Sequence, residues 1–349
     1  MFLDRFKSFK AYKTETTPCR IKLSSNESPY EFSQELKEKI AKEVSKIPLN
    51  RYPDPTYSQL KEVLAKFYGV EPANITVGNG SDELIDLLVK AVGDLTHPVM
   101  YPIPTFPMYQ VSADTIGRPK AEFKLDEGFQ LAKEEVDKAL EKKPQLAFFA
   151  SPNNPTGNTF DRKLIKYTAD NNVFTIVDEA YVHFSDEEDF LKEALEPDNN
   201  IVVIRTLSKI GLAGIRLGVL IADEETISLI DRIRPPFNIT YPTDVIARIV
   251  LTEGLDEIEK HINLIKEERK RVMEEVSKIP NIRVFPSQAN FFLIKVNDGN
   301  WLHKKLIEKG ILVRNMSHLP KLENCLRISI GKKEENDAFI KALKEILHG

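Results

Sequence analysis

The sequence predicts an α/β fold: a mostly parallel sheet of about seven strands flanked by helices, joined to a smaller α+β domain. Three observations carry this. Short apolar runs alternate with amphipathic stretches from residue 74 to about residue 222, the pattern of successive βαβ units. After Pro235 and Pro236 the pattern changes to one long charged helix and then short strands. The 349 residues also exceed the roughly 250–300 that one hydrophobic core usually organises, so a second, smaller domain is expected.

In chain order, residues 34–47 place Leu36, Ile40, Val44 and Ile47 at helical intervals among charges, and residues 57–68 repeat that character. Both read as amphipathic helices, with NRYPDPTY as a rigid loop between them. Strand and helix then alternate: ITV before 82–92, PVMY before 106–114, and LAFFA before 161–171. Further strands are predicted at VFTIVD (173–178), IVVIRT (201–206) and LGVLIA (217–222). In an open sheet of this kind a ligand sits beyond the carboxyl ends of the strands, so the polar residues closing each run are the candidate site. Past Pro236 the reading is a helix around 253–278, short strands near 282–285, 290–296, 311–314 and 325–330, and a closing helix over about 334–347. No internal repeat interrupts this order.

Composition narrows the function classes. Hydrophobic residues make up 42% and charged residues 29%, with a net charge of −4, as in an ordinary globular protein. The sequence pI of about 6.0 and the scattered Lys and Arg argue against nucleic-acid binding. Cys19 and Cys325 lie at opposite ends without CxxC spacing, so neither a metal site nor a disulfide framework is expected. In MFLDRFKSFKAYKTE charges interrupt every apolar pair, and no apolar run approaches the roughly 18 residues of a membrane span. A cytoplasmic protein is the expectation.

The strand ends are GNGSD (78–82), SPNNPTGN (151–158), DEAY (178–181) and TLSK (206–209), with Arg216 seven residues later. This ordered set resembles the successive signatures of fold type I, pyridoxal-phosphate-dependent aminotransferases and spans most of the chain, from Asn26 to Gly331. Within that group KLSSNESPY, NRYPDP, NGSDELI, PTFPMY, DEAYVHF, TLSKIGLAGIRLG and LRISIG are most similar to histidinol-phosphate aminotransferases. The resemblance implies a large cofactor-binding domain over 46–238. It implies a small domain from 1–45 and 239–349, whose N-terminal segment covers the active site.

Lys209 follows a buried strand at the sheet's carboxyl edge, where desolvation favours the free amine that a Schiff base with the cofactor needs. Asp178 closes an apolar strand, where a carboxylate needs a cationic partner such as a protonated pyridine nitrogen. The resemblance assigns Tyr181 and Asn154 as donors to the cofactor's phenolate oxygen and Phe106 as the aromatic stacked on its ring. Gly80, Ser81 and Asp82 fall where a strand gives way to a helix, so backbone amides and the helix dipole would face the cofactor's phosphate there. Thr206 and Ser208 add hydroxyls, and Arg216 adds a bidentate charge. The segment from Lys209 to Arg216 is one residue shorter than in many similar proteins, so a tighter loop is expected. Tyr52 matches a tyrosine that reaches the phosphate in a neighbouring subunit, which implies a two-fold homodimer.

On the substrate side the resemblance implies that Arg327 and Arg314 grip anionic groups and that Asn26 and Tyr30 fold over the substrate, with Asn154 also near it. His183 stands where similar proteins often carry Glu and has no role derivable from sequence. The implied reaction moves an amino group between histidinol phosphate and 2-oxoglutarate or glutamate, with Lys209 shuttling the Cα proton. Two alternatives share the fold: a threonine-phosphate decarboxylase, which could use the same two arginines, and a broader aromatic or aspartate aminotransferase. A transcription regulator on this fold needs an added helix-turn-helix domain of roughly 60 residues, for which the chain has no room.

Overall fold

A computed structural model describes residues 6, 7, 9, 17–197 and 199–348. Most of the charged opening segment, with the start of the expected small domain, lies outside the described residues.

Among the described residues, twelve strands form two sheets. The seven-stranded sheet contains β2 (Ile75–Asn79), β3 (Val99–Ile103), β4 (Lys120–Lys124), β5 (Leu146–Ala150), β6 (Phe174–Asp178), β7 (Ile201–Thr206) and β8 (Leu217–Ile221), after a first strand β1 (Ile21–Leu23) that belongs elsewhere. Its order is β2-β8-β7-β6-β5-β3-β4, parallel throughout except that β8 runs antiparallel to both neighbours. The expected mostly parallel sheet is present. Alternate residues of its central strands enter different cores, which is why each strand reads as an unbroken apolar run. Phe148, Ile176, Ile204 and Leu220 pack with Leu84, Leu88, Tyr109 and Ile227. Phe149, Val177 and Val203 pack with Phe160, Ile165 and Phe190.

The smaller sheet joins β1 to β9 (Arg283–Val284), β10 (Phe291–Lys295), β11 (Ile311–Asn315) and β12 (Cys325–Ser329), in the order β1-β11-β12-β10-β9. The short N-terminal strand thus pairs parallel with β11, nearly 300 residues away. The helix Gln34–Val44 begins at Ser33, whose hydroxyl accepts from the Leu36 N–H as a side-chain cap. The long helix Leu255–Ser277 and the last helix, Lys333–His348, take the places predicted for them. No helix among the described residues is long and apolar enough to cross a membrane.

Three elements depart from the sequence expectation. β4 supplies the seventh strand of the sheet from KAEFK, whose alternating charges suit an edge. β1 has only three residues. The helix expected from 106 begins at Met108, because Pro107 takes the N-cap position and leaves Phe106 in the preceding loop.

Candidate active site

The carboxyl ends of β5, β6 and β7 and the start of the helix Gly80–Ala91 enclose a pocket of about 500 Å³. Its walls include Ser81, Asp82, Phe106, Asn154, Asp178, Tyr181, Thr206, Ser208, Lys209 and Arg216. Ten residues singled out in the sequence therefore meet in one cavity.

Asp178 ends β6 and is 4% exposed. Oδ2 accepts from the Tyr109 hydroxyl at 2.7 Å, and Oδ1 accepts from the Ala180 N–H at 3.1 Å. Burial still pushes this carboxyl above the usual range, against the two hydrogen bonds; Asp82 adds to the rise and Lys209 opposes it. A buried acid in that condition is completed by a cation placed beside it. Lys209 closes the short turn Leu207–Lys209 after β7, with Nζ 5.6 Å from the centre of the Tyr181 ring.

The antiparallel β8 lies between β2 and β7 and brings Arg216, the residue before it, beside the start of the helix Gly80–Ala91. Arg216 adopts φ +55°, and its carbonyl accepts from the Gly80 N–H at 2.7 Å. Its guanidinium lies 3.1 Å from Asp82 and donates to Ser208 Oγ at 3.4 Å. Thr206 Oγ1 lies 2.9 Å from the same Ser208 Oγ. The approach is close: a Cβ on Gly80 would meet Arg216 Nη2 at 2.5 Å, and one on Gly218 would meet backbone atoms of Gly80 and Ser81 at 2.4 and 2.5 Å. The short segment after Lys209 closes through the turn Ala213–Ile215 and the left-handed Arg216, which is the tight loop expected.

The small sheet reaches the pocket through hydrogen bonds to two of its lining residues, Asn154 and Tyr181. Arg327 Nη1 donates to Asn154 Oδ1 at 2.6 Å and Nη2 to the Ser24 carbonyl at 2.7 Å. Arg314 is the antiparallel partner of Arg327 in the β11–β12 register, so the two guanidiniums start from one face. Asn26 is buried at φ +55° and donates from Nδ2 to the Tyr181 hydroxyl at 3.0 Å. Tyr30 stacks on His261, ring centres 5.1 Å apart. Tyr52 is 78% exposed and stacks on Phe237 at 4.4 Å. Arg314, Arg327, Asn26, Tyr30 and Tyr52 stand outside the residues that line the pocket.

Pyridoxal 5′-phosphate, the cofactor the resemblance implies, fits these residues. An amine faces the same cavity as a buried carboxylate that has no ion pair among the described residues. At one end, helix-start amides, two hydroxyls and a guanidinium surround a cradle that a side chain at position 80 would fill. Among the described residues no group of three His, Cys, Asp or Glu side chains is arranged to hold a metal ion.

Sequence reasoning missed Tyr109, Ser329 and Asn290. Tyr109 had a signal: it lies three residues after Phe106 in the quoted PTFPMY, and the two rings meet edge to face at 5.7 Å. The other two hold Asn26 from more than 260 residues away and had none.

Residues 20–343 match the family model for aminotransferase class I and II. The chain is 51% identical to the histidinol-phosphate aminotransferase of Hydrogenobaculum sp. (strain Y04AAS1), covering 99% of this chain and 98% of that one. It is 47% identical to the histidinol-phosphate aminotransferase of Aquifex aeolicus (strain VF5), with the same coverage. Its fold superposes, at a TM-score of 0.87 and 23% identity over 99% of this chain and 97% of the other, on the histidinol-phosphate aminotransferase of Sinorhizobium meliloti in complex with pyridoxal-5'-phosphate. Matches of this extent follow the whole framework that builds the pocket, and the chain belongs to the class I and II aminotransferases, in the histidinol-phosphate aminotransferase family.

Proposed function

We propose that this chain is a pyridoxal-phosphate-dependent transaminase moving an amino group between histidinol phosphate and 2-oxoglutarate or glutamate in histidine biosynthesis. The observation that carries the reading is one pocket lined by Lys209, buried Asp178 and Arg216, with Arg327 hydrogen-bonded to the lining residue Asn154. The full-length relatives named for that activity support the substrate.

When bound, the cofactor supplies an electron sink for the charge left as a Cα proton departs. Asp178, as an anion, would hold the positive end of that sink and so keep it electron-poor. Lys209, on a short turn above the sheet edge, is the group placed to take the proton from one carbon and return it to another. Tyr181 and Asn154 would orient the ring by donating to its oxygen. Asn154 has its carbonyl occupied by Arg327, which leaves its amide nitrogen as the donating end. Arg216, Ser208 and the helix start would hold the phosphate, and Phe106 would cover the ring. Arg327 and Arg314 would take the phosphate of one substrate and the carboxylates of the other, which lets one pocket serve both half-reactions.

The division into a large domain over 46–238 and a small one from 1–45 and 239–349 is supported by strand membership. All seven large-sheet strands fall in the first range and all five small-sheet strands in the second. An exposed Tyr52 beside exposed Leu49 and Phe237 suits a homodimer in which Tyr52 reaches the neighbouring site. A cytoplasmic location fits a biosynthetic enzyme of this kind.

The test is glutamate formation from histidinol phosphate and 2-oxoglutarate by cofactor-loaded protein, with threonine phosphate assayed separately for carbon dioxide release. Glutamate formation supports the reading. Carbon dioxide without glutamate would replace it with the decarboxylase, and neither product would refute the substrate.

A further inference from the structure

We propose that Ser329 is a positioning residue that, acting through Asn26, aims the Tyr181 hydroxyl into the cofactor pocket. The inference rests on the reading that this pocket holds pyridoxal phosphate.

Each hydroxyl has a single proton to give. The Asn26 backbone N–H donates to Ser329 Oγ at 2.8 Å, so that hydroxyl accepts there and its single proton goes elsewhere. It goes to Asn26 Oδ1, also at 2.8 Å. An asparagine amide has distinct ends, and a donor at Oδ1 fixes which end faces the opposite way. Nδ2 therefore points at Tyr181 and donates to its phenol oxygen at 3.0 Å. The Asn290 amide donates to the Asn26 carbonyl at 2.9 Å and holds the backbone in its left-handed conformation. With a hydrogen bond arriving at the phenol oxygen, the one Tyr181 proton is left to point away from Asn26. Tyr181 lines the pocket, while Asn26 and Ser329 do not.

The same strand sets the second donor. Arg327, two residues before Ser329 on the same face of β12, occupies Asn154 Oδ1. One strand of the small sheet thus determines the direction of both groups proposed to donate to the cofactor's oxygen. Burial makes the relay rigid: Asn26 is 1% exposed, Ser329 and Tyr181 4%. The charged groups that share the pocket with the phenol, Asp82, Asp178, Lys209 and Arg216, are left in place by a change at position 329.

A hydrogen bond donated to the cofactor's anionic oxygen draws charge from it and makes the nitrogen joining it to Lys209 less basic. Misdirecting the Tyr181 proton therefore raises the pH midpoint of the visible absorbance band of the cofactor-loaded protein. The experiment reads that midpoint in wild type, Ser329→Ala, Ser329→Thr, Tyr181→Phe and the Ser329→Ala/Tyr181→Phe double variant. The expected result is a rise of roughly one pH unit in Ser329→Ala, the wild-type value in Ser329→Thr, and no further rise when Ser329→Ala is added to Tyr181→Phe. An unshifted Ser329→Ala, or an equal shift in the Tyr181→Phe background, overturns the inference. If Ser329→Ala does not fold, Asn26→Asp reads the same relay from its middle. A carboxylate there takes the Tyr181 proton for itself, so the midpoint must rise, and a wild-type midpoint overturns the inference. Wild-type protein with no cofactor band brings down the pocket reading and this inference together. A band that shifts in Tyr181→Phe but not in Ser329→Ala brings down this inference alone.

Discussion

The Tyr109 hydroxyl donates to Oδ2 of Asp178 at 2.7 Å, and both side chains are buried, Asp178 lining the pocket and Tyr109 behind it. Tyr109 is held there by stacking on Phe148 at 4.7 Å. Its hydrogen bond works against burial in keeping Asp178 anionic. Tyr109→Phe keeps the ring and removes that bond, which to a charged group is worth about 1.5–3 kcal/mol. The dissociation constant for pyridoxal phosphate is expected to rise about tenfold or more, with kcat falling alongside. Absorbance titration of the cofactor measures it, and an unchanged constant would leave Asp178 independent of Tyr109.

Gly218 marks how tightly β8 approaches the phosphate cradle. A Cβ there would meet backbone atoms of Gly80 and Ser81, which cannot yield as a flexible side chain can. Gly218→Ala is expected to lower stability by about 1–3 kcal/mol and to weaken cofactor binding as the helix start shifts. Gly214→Ala, with nothing within 4 Å of its added carbon, should stay within about 0.5 kcal/mol of wild type in the same urea series.

His183 is a partly buried histidine whose Nε2 is sealed from solvent. Burial first, and Arg205 second, hold its imidazole down from 6.5 to about 4, with Asp189 opposing. The unfolded chain binds this proton more readily than the folded one, so stability is complete above pH 6.5 and falls as pH drops toward 4. The loss approaches about 3 kcal/mol across that window. His183→Leu removes it, so urea unfolding between pH 7 and 5 should be less pH-dependent in the variant. Equal slopes would show that His183 does not titrate on unfolding.

Tyr52 lies at the surface against Phe237, far more exposed than any residue lining a closed site. If a second subunit's cofactor lies beyond it, sedimentation will give a dimer, and Tyr52→Ala will raise the cofactor dissociation constant about tenfold, one charge-assisted hydrogen bond being lost. A monomer that binds cofactor as tightly with or without Tyr52 would exclude the shared site.

Much of this was legible in the sequence because the large sheet is buried on both faces. VFTIVD and IVVIRT announce strands, and their polar last residues, Asp178 and Thr206, mark the edge where ligands bind. β4 was hidden because an edge strand carries charge, and β1 because three residues give no period. Arg216 was found by type, but its left-handed backbone, which closes a short loop, is decided by contact with Gly80. Ser329 was beyond reach for a different reason. A serine following Arg327 in LRISIG gains its meaning only when the chain returns Asn26 to it, 303 residues away in sequence.

The central claim is that Lys209 is the amine that holds the cofactor. Borohydride reduction of protein loaded with pyridoxal phosphate, followed by peptide mass mapping, tests it most directly. The account predicts one added reduced cofactor, on the peptide containing Lys209, and none in Lys209→Ala. A label on another lysine, or no label on protein that is folded and saturated with cofactor, would contradict it.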